Sequence, residues 1–258
     1  AKKLKARRVG AGAIEFEEPE VKFVLDERKR PVAAVVKERL DTHRLIEEFM
    51  LLANREVAEL IGRKERGEHA LPFLYRVHDV PDPEKIAELA IFLRAIGHEL
   101  DVPKGGSVSA KDLNALFVRL SGHAAEQLVK TAALRAMAKA IYTTTNIGHY
   151  GLSFGYYTHF TSPIRRYPDM LVHRLLARHL THTPIAAGEL DALRAHAIHS
   201  SKRERSALEA ERASIKYKQV EFLAGRIGET FDALISGVTE WGMYVEEKSS
   251  RAEGMIAL

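Results

Sequence analysis

The spacing of apolar residues predicts β-structure near the start of the chain, followed by a long helix. Residues 21–26 and 31–36 are short runs rich in β-branched and apolar residues, separated by a charged stretch, which is the pattern of a hairpin. Apolar residues then recur at helical spacing after Asp41 or Thr42, either of which could serve as the N-cap. We therefore expect paired strands first and an amphipathic helix directly after them.

The middle of the chain shows repeated helix-start signals. Asp82 precedes a proline at the first helical position, and Ser109 with Asp112 forms a capping-box pattern. Each signal is followed by apolar residues at helical spacing. Residues 124–142 also have a helical pattern, so the middle of the chain is predicted to be mostly α.

The composition changes abruptly near residue 225. Helices are predicted over 169–180 and over the highly charged stretch 187–224, which Gly225 closes. Beyond it, β-branched and aromatic residues alternate with turn residues, a strand–turn–strand pattern. We expect a domain boundary here, with residues 1–225 in one domain and 226–258 in another.

Composition excludes some classes of protein and favours a polyanionic partner only weakly. The 258 residues include no cysteine, which rules out disulfides and thiolate zinc sites. Neither a spanning segment nor a secretory signal is recognisable, so the default expectation is a cytoplasmic protein with no membrane partner. The net charge is +4, and residues 1–8 carry five basic side chains and no acidic one.

The densest candidate chemistry lies in residues 148–176, where aromatic and basic side chains alternate. Aromatic faces such as that of Tyr156 can stack on bases, while arginines and His149 can contact phosphates. This combination is typical of a channel for single-stranded nucleic acid. From the residues alone, an aromatic-rich core loop with surface arginines explains the segment equally well.

This segment, GHYGLSFGYYTHFTSPIRRYPDMLVHRLL, closely resembles the signature of the ribonuclease II/R family. Further blocks resemble the same RNB-type catalytic domain, including FEEPEVKFVLDERKRPV, DTHRLIEEFMLLANREVAELI and LRAMAKAIYTTTNIGHYGL. The tail resembles the first strands of an OB-fold RNA-binding domain of the ribosomal-protein-S-one type. The resemblance implies an α+β fold that is helix-rich in this portion and ends at the start of a β-barrel.

The resemblance implies an activity whose metal ligands are missing from this sequence. Members of the family hydrolyse RNA processively from its 3′ end to nucleoside 5′-monophosphates, using magnesium held by four aspartates in an upstream block. The chain contains no Asp-x-Asp and no paired aspartates. Because magnesium needs several oxygen ligands, we expect its ligands outside this chain and no metal site within it.

The arginines after Ser162 carry the closest match to the family's catalytic residues. Arg165 matches the catalytic arginine, which is expected to stabilise charge on phosphate oxygens. Asp169, four residues later, is expected to pair with Arg165 and fix its orientation. Arg166 and Arg174 are expected to steer the RNA backbone or to brace the site, with structural roles equally open.

Four further residues match family positions or usual contacts for RNA. Glu47 resembles a reader of the ribose 2′-hydroxyl, with a solvated helix face as the alternative. Phe16 matches an aromatic that clamps the last base, although core packing competes with this role. Glu211 matches a position that moderates RNA binding, and Trp241 is placed where such OB-folds usually stack a base.

Two hypotheses from different classes follow. The first is that the chain is a large piece of a 3′-to-5′ exoribonuclease, supplying the channel for single-stranded RNA and the arginine but inactive without the missing N-terminal part. The alternative is a non-catalytic RNA-binding or scaffolding protein derived from that fold. An in-frame aspartate block encoded before Ala1 would favour the enzyme.

Overall fold

The computed structural model describes residues 1–15, 20–63, 71–103, 105–123 and 125–257, and it has a mixed α+β fold. The predicted fold class is therefore confirmed. The seven helices of this described part are α1 Lys2–Ala11, α2 Asp41–Gly62, α3 Pro83–Ala95, α4 Ala110–Arg119, α5 Glu126–Ala136, α6 Tyr167–Leu180 and α7 Ala187–Ala224. Its strands are β1 Val21–Leu25, β2 Pro31–Val36, β3 Tyr75–Val77, β4 Ile141–Thr143, β5 Ala233–Thr239, β6 Gly242–Glu247 and β7 Glu253–Ala257.

The chain forms two compact units. The first consists of Ala1–Glu15 with Leu40–Arg203, and the second consists of the described parts of Phe16–Arg39 with Glu204–Leu258. The units describe which parts of the chain contact each other, and they do not test where one domain ends. The domain boundary expected at residue 225 therefore stays a prediction. Among the helices of the described residues, none is long and apolar enough to span a membrane.

The core of the first unit lies between α2, α6 and the antiparallel pair β3–β4. Buried apolar side chains from these elements and from the residues next to them meet there, among them Ile61, Phe73 and Val172, each at most 1% exposed. Burying side chains of this size stabilises the fold by roughly 1.5–3 kcal/mol each. This core provides a fixed support for the loop between β4 and α6.

Several helix starts follow the local sequence signals. Asp82 accepts a hydrogen bond from the backbone N–H of Glu84 and caps α3. Ser109 and Asp112 form the expected capping box at the start of α4. For α2 the N-cap is Leu40 rather than Asp41 or Thr42, because the His43 ring Nδ1 accepts the Leu40 N–H at 3.1 Å.

Two elements differ from the sequence prediction. The helix predicted over 124–142 ends at Ala136, and Ile141–Thr143 instead form β4, paired with Tyr75–Val77. The basic residues 1–8 lie largely in α1, which has no strong apolar periodicity to predict it. Both elements depend on partners distant in sequence, which local patterns do not reveal.

The second unit contains the predicted hairpin and the C-terminal sheet. Strands β1 and β2 pair antiparallel, and the ring of Phe23 lies 5.6 Å from that of Phe222 on α7. Strands β5, β6 and β7 form an antiparallel sheet in that order. The strand–turn–strand prediction for the tail is therefore confirmed.

Candidate functional site

The candidate site is the loop that leads from β4 to α6, and α2 holds one end of it. Asn54 of α2 is only 3% exposed. Its Oδ1 accepts hydrogen bonds from the backbone N–H groups of Phe160 and Thr161 at 3.0 and 3.2 Å. Its Nδ2 donates to the Tyr157 hydroxyl at 3.1 Å. One buried amide thus fixes the loop just before its arginines.

Helix α6 holds the other end of the loop through Asp169, which is completely buried. Its Oδ2 accepts hydrogen bonds from the Ser162 backbone N–H and from Arg166 Nη2, both at 2.8 Å. The expected pair of Asp169 with Arg165 is therefore wrong. Arg166 is the N-cap of α6, three residues before Asp169, and this helical spacing brings these two side chains together.

Arg165 is exposed at the tip of the turn Ser162–Arg166, which we call the arginine turn. Its backbone N–H donates to the Ser162 carbonyl at 3.3 Å. Within the described part of the chain, its guanidinium forms no hydrogen bond or ion pair. Arg174 on α6 is exposed as well, whereas Arg166 is committed to Asp169. Arg165 and Arg174 can therefore both receive an anion without first breaking an ion pair.

His149 belongs to the loop itself and is packed among aromatic rings. Its ring lies edge-on to those of His78 and Tyr157, at 5.1 and 5.2 Å. Burial, followed by the nearby His78 and Arg76, lowers the pKa of His149 to about 3. Its Nδ1 accepts the Leu152 N–H, so it caps a single 3₁₀ turn. A contact with RNA stays a prediction, and it would be made by a neutral imidazole.

His159 is a partly buried residue of the site that the sequence did not single out as a contact. Its Nδ1 lies 2.7 Å from the hydroxyl of Tyr142 on β4. Burial and the positive charges of Arg166 and Arg76 lower the pKa of His159 to about 2. The ring therefore stays neutral near pH 7 and does not compete with Arg165 for phosphate.

His78 is held in one tautomer by two backbone groups. The Gly151 N–H donates to His78 Nδ1 at 3.0 Å, so the other nitrogen, 2.8 Å from the Ala138 carbonyl, must carry the proton. Burial lowers the pKa of His78 from its ordinary value. The residue braces the loop against the strand that precedes α3.

Glu47 and Tyr156 are half-buried in the first unit. Tyr156 packs against the core, and a Cβ on Gly62 at the end of α2 would lie 2.8 Å from its ring. The neighbour of Glu47, Glu48, is 4% exposed and forms an ion pair with Arg8 of α1, with 2.6 Å between Arg8 Nη2 and Glu48 Oε1. Of the two adjacent glutamates, Glu48 therefore docks α1 onto α2. The sugar-reading role of Glu47 stays a prediction.

Two predicted contacts lie in the second unit and one lies outside the described residues. Glu211 is exposed on α7, and Trp241 is 71% exposed in the turn between β5 and β6. Tyr244 on β6 is 38% exposed, so both aromatics are accessible. Phe16 is not among the described residues.

The described residues do not fit a magnesium ion. They include no group of three or more His, Asp or Glu side chains arranged to hold a metal. A hard cation such as magnesium prefers several oxygen ligands in near-octahedral geometry. We therefore assign no chemical step to a metal ion bound by these residues.

Comparison with known families decides the relationship suggested by the arginine turn. The model of the RNB domain matches residues 1–182, which include Arg165 and the two residues that hold its loop, Asn54 and Asp169. The chain belongs to the RNB family. The arginine turn of this RNB chain, supported by α2 and α6, thus lies within the matched part.

Curated relatives of the RNB chain are named Ribonuclease R. Those from Aquifex aeolicus, Thermotoga maritima and Escherichia coli are 40%, 39% and 33% identical over 97–99% of this chain. The matched region is 35%, 35% and 32% of their respective lengths. The RNB chain thus spans about a third of these relatives.

Solved structures show the same fold. Mycoplasma genitalium RNase R in complex with ribose-methylated single-stranded RNA matches 98% of this chain and 39% of its own, at 27% identity and a TM-score of 0.85. Its complex with double-stranded RNA matches 98% of this chain and 44% of its own, at 26% identity and a TM-score of 0.87. Yeast Ssd1, described as a pseudonuclease, matches 85% of this chain and 27% of its own, at 22% identity and a TM-score of 0.71.

Proposed function

We propose that this chain is part of a processive 3′-to-5′ exoribonuclease that hydrolyses single-stranded RNA to nucleoside 5′-monophosphates. The observation that carries the proposal is the exposed Arg165, which is presented by a backbone held from both sides and has no ion-pair partner among the described residues. The relatives named Ribonuclease R support RNA as the substrate. Magnesium, bound by aspartates outside this chain, would supply the activated water.

In this proposal Arg165 contacts the phosphate at the scissile bond. A guanidinium can donate two parallel hydrogen bonds to phosphate oxygens, and its charge stabilises the negative charge that develops during attack. The residue needs no reorganisation, because its side chain is not engaged elsewhere in the described structure. Arg166, bound to Asp169, braces the turn.

The remaining predicted contacts divide by the part of RNA they would recognise. Glu47 would accept a hydrogen bond from a ribose 2′-hydroxyl, the group that distinguishes RNA from DNA. Phe16 and Tyr156 would contact bases, while Arg174 and His149 would contact the RNA backbone. In the second unit, Trp241 would stack on a base in an OB-fold that begins with 226–258, and Glu211 would moderate binding. A cytoplasmic location, where RNA decay would take place, completes the proposal.

The test uses the full-length protein encoded by the gene and a 5′-labelled single-stranded RNA with magnesium. Arg165→Ala is expected to lower the cleavage rate about 100-fold or more, the usual effect of removing one group that stabilises developing charge. Arg194→Ala is the matched control, since Arg194 is an exposed arginine on α7 paired with Asp191. Equal rates for the wild type and Arg165→Ala would refute the role of Arg165.

A second candidate is a non-catalytic RNA-binding or scaffolding protein. Two observations favour it: the described residues lack a carboxylate cluster, and the same fold occurs in a pseudonuclease. The same RNA assay separates the two candidates. RNA that is bound by the full-length protein but not shortened in the presence of magnesium would establish this second function.

A further inference from the structure

The position of the Arg165 guanidinium depends on the backbone of the arginine turn. Within the described part of the chain, no side-chain hydrogen bond or ion pair holds Arg165 in place. The N–H groups of Arg165 and Arg166 both donate to the Ser162 carbonyl, at 3.3 and 3.0 Å. Asp169 accepts the Ser162 N–H, so α6 fixes the turn from one side.

The segment entering the turn is fixed by Asn54. Its Oδ1 accepts two consecutive backbone N–H groups, those of Phe160 and Thr161, which form no other hydrogen bond with a described residue. Because a single buried acceptor binds two adjacent N–H groups, it fixes both the position and the direction of the backbone at Phe160 and Thr161. Any shift there moves Ser162, the next residue, and with it the turn that carries Arg165.

Asn54 also relates the arginine turn to Glu47. The two residues are seven positions apart on α2, so they lie on the same face of the helix, about 10 Å apart along its axis. A rigid helix therefore carries both the residue proposed to read the sugar and the amide that holds the phosphate-binding turn. In this proposal, α2 therefore sets the distance between the bound ribose and the bound phosphate.

We infer that Asn54 is a positioning residue, which holds the arginine turn in register with α2 so that Arg165 meets phosphate while Glu47 meets the sugar. The inference rests on the proposed function and deepens it. Asn54 itself is buried and touches no RNA in this account. A misplacement of about 1 Å at a reacting group can cost about 100-fold in rate, so even a small shift of the turn matters.

Three variants of the chain separate positioning from stability. Asn54→Leu keeps the volume of the side chain but removes all three hydrogen bonds. Asn54→Asp keeps the acceptor for the two amides, and the Tyr157 hydroxyl can donate to it. Thr158→Val is the matched control, because it removes one buried hydrogen bond of the same loop, from Thr158 Oγ1 to the Leu74 carbonyl, at 2.7 Å.

The first measurement is amide hydrogen exchange on the chain without RNA. In Asn54→Leu, exchange should accelerate about tenfold at Phe160 and Thr161 and also at Arg165 and Arg166. Thr158→Val and Asn54→Asp should leave exchange at Arg165 and Arg166 as in the wild type. Acceleration confined to the two amides that Asn54 binds would overturn the inference. This measurement does not depend on the proposed function.

The second measurement is a double-mutant cycle in binding to fluorescent single-stranded RNA. Arg165→Ala should weaken binding about tenfold in the wild type and less than twofold in Asn54→Leu, because the turn is already displaced. In Thr158→Val the full tenfold effect should persist. Additive effects of Asn54→Leu and Arg165→Ala would overturn the inference. If the wild type binds no RNA, the proposed function fails and the exchange measurement alone decides the role of Asn54.

Discussion

At the scale of single residues, the site combines partly buried, neutral histidines with exposed arginines. His149 and His159 have pKa values of about 3 and about 2, lowered chiefly by burial. The exposed Arg165 and Arg174 are therefore the residues of this loop and helix that can offer charge to phosphate near pH 7 without breaking an ion pair. The aromatic and imidazole rings shape the support of the loop instead.

This burial has a consequence for stability against pH. The unfolded chain binds protons at His159 near the ordinary pKa of 6.5, whereas the folded chain does not until the pH approaches 2. Stability should therefore fall as pH falls below 6.5, by about 1 kcal/mol per pH unit for this histidine. His159→Phe should reduce the slope between pH 6.5 and 5 by about this amount, measured by urea unfolding, while His149 keeps its own contribution.

The matched control for this titration is Thr158→Val, which removes a buried hydrogen bond of the same loop but no titrating group. It should keep the wild-type dependence on pH. Every other titrating group is kept in both variants, so the difference between their slopes reports His159 alone. An unchanged slope in His159→Phe would contradict the buried neutral state of His159.

Asp169 should be critical for stability because it is completely buried and holds both Arg166 and the Ser162 N–H. Removing one partner of a buried ion pair leaves an uncompensated charge, so Asp169→Ala should lower the free energy of unfolding by about 3 kcal/mol. Chemical denaturation measures the loss. Asp191→Ala, at an exposed pair with Arg194, should change stability by less than about 0.5 kcal/mol, and equal losses would contradict the account.

At the scale of elements, the sequence predicts those features that depend on interactions between residues close together in the chain. The caps of α3 and α4 and the hairpin β1–β2 depend on residues a few positions apart, and each was predictable. Strand β4 was not, because three residues form a strand only when β3, more than sixty positions earlier, pairs with them. The role of Asn54 was not predictable for the same reason, since its partners lie about 105 residues away.

The resemblance to the ribonuclease II/R family singled out Arg165, but it did not predict how Asn54 and Asp169 hold the turn that carries it. A motif shows which residue types recur, whereas the pairing of Asp169 depends on how the chain turns at Ser162. The structure places Arg166 rather than Arg165 against that carboxylate. That the Arg165 guanidinium has no ion-pair partner among the described residues is therefore a structural finding, while its contact with RNA is a proposal.

Gly242 should be essential to the sheet of the second unit. Its φ is 155°, and an added Cβ would lie 2.3 Å from the Ile256 carbonyl oxygen on the neighbouring strand. Gly242→Ala should therefore disturb the β6–β7 pairing and destabilise the sheet by about 1–3 kcal/mol. Amide exchange of β6 and β7 would report the loss.

Gly254→Ala is the control in the same sheet. A Cβ at Gly254 on β7 meets nothing within 4 Å, so this variant should keep the exchange rates of the wild type. Equal effects of the two substitutions would show that the close approach at Gly242 does not limit the pairing of the strands. The test is independent of RNA.

At the scale of the whole molecule, binding to single-stranded RNA should be sensitive to salt. Arg165 and Arg174 are exposed and unpaired within the described structure, and each phosphate neutralised contributes about −0.7 to the slope of log K against log salt. The slope should therefore be at least as steep as about −1.4. Arg174→Ala should reduce its magnitude by about 0.7, measured by fluorescence anisotropy, whereas a flat dependence would argue against the channel.

The central proposal is that the full-length protein is an exoribonuclease to which this chain contributes Arg165 and the RNA channel, with the metal ligands outside this chain. The most direct measurement mixes this chain with a segment that carries the aspartate block and follows a 5′-labelled RNA with magnesium. We expect shortening from the 3′ end only in the mixture, and we expect Arg165→Ala to abolish it. Robust degradation by this chain alone would contradict the account.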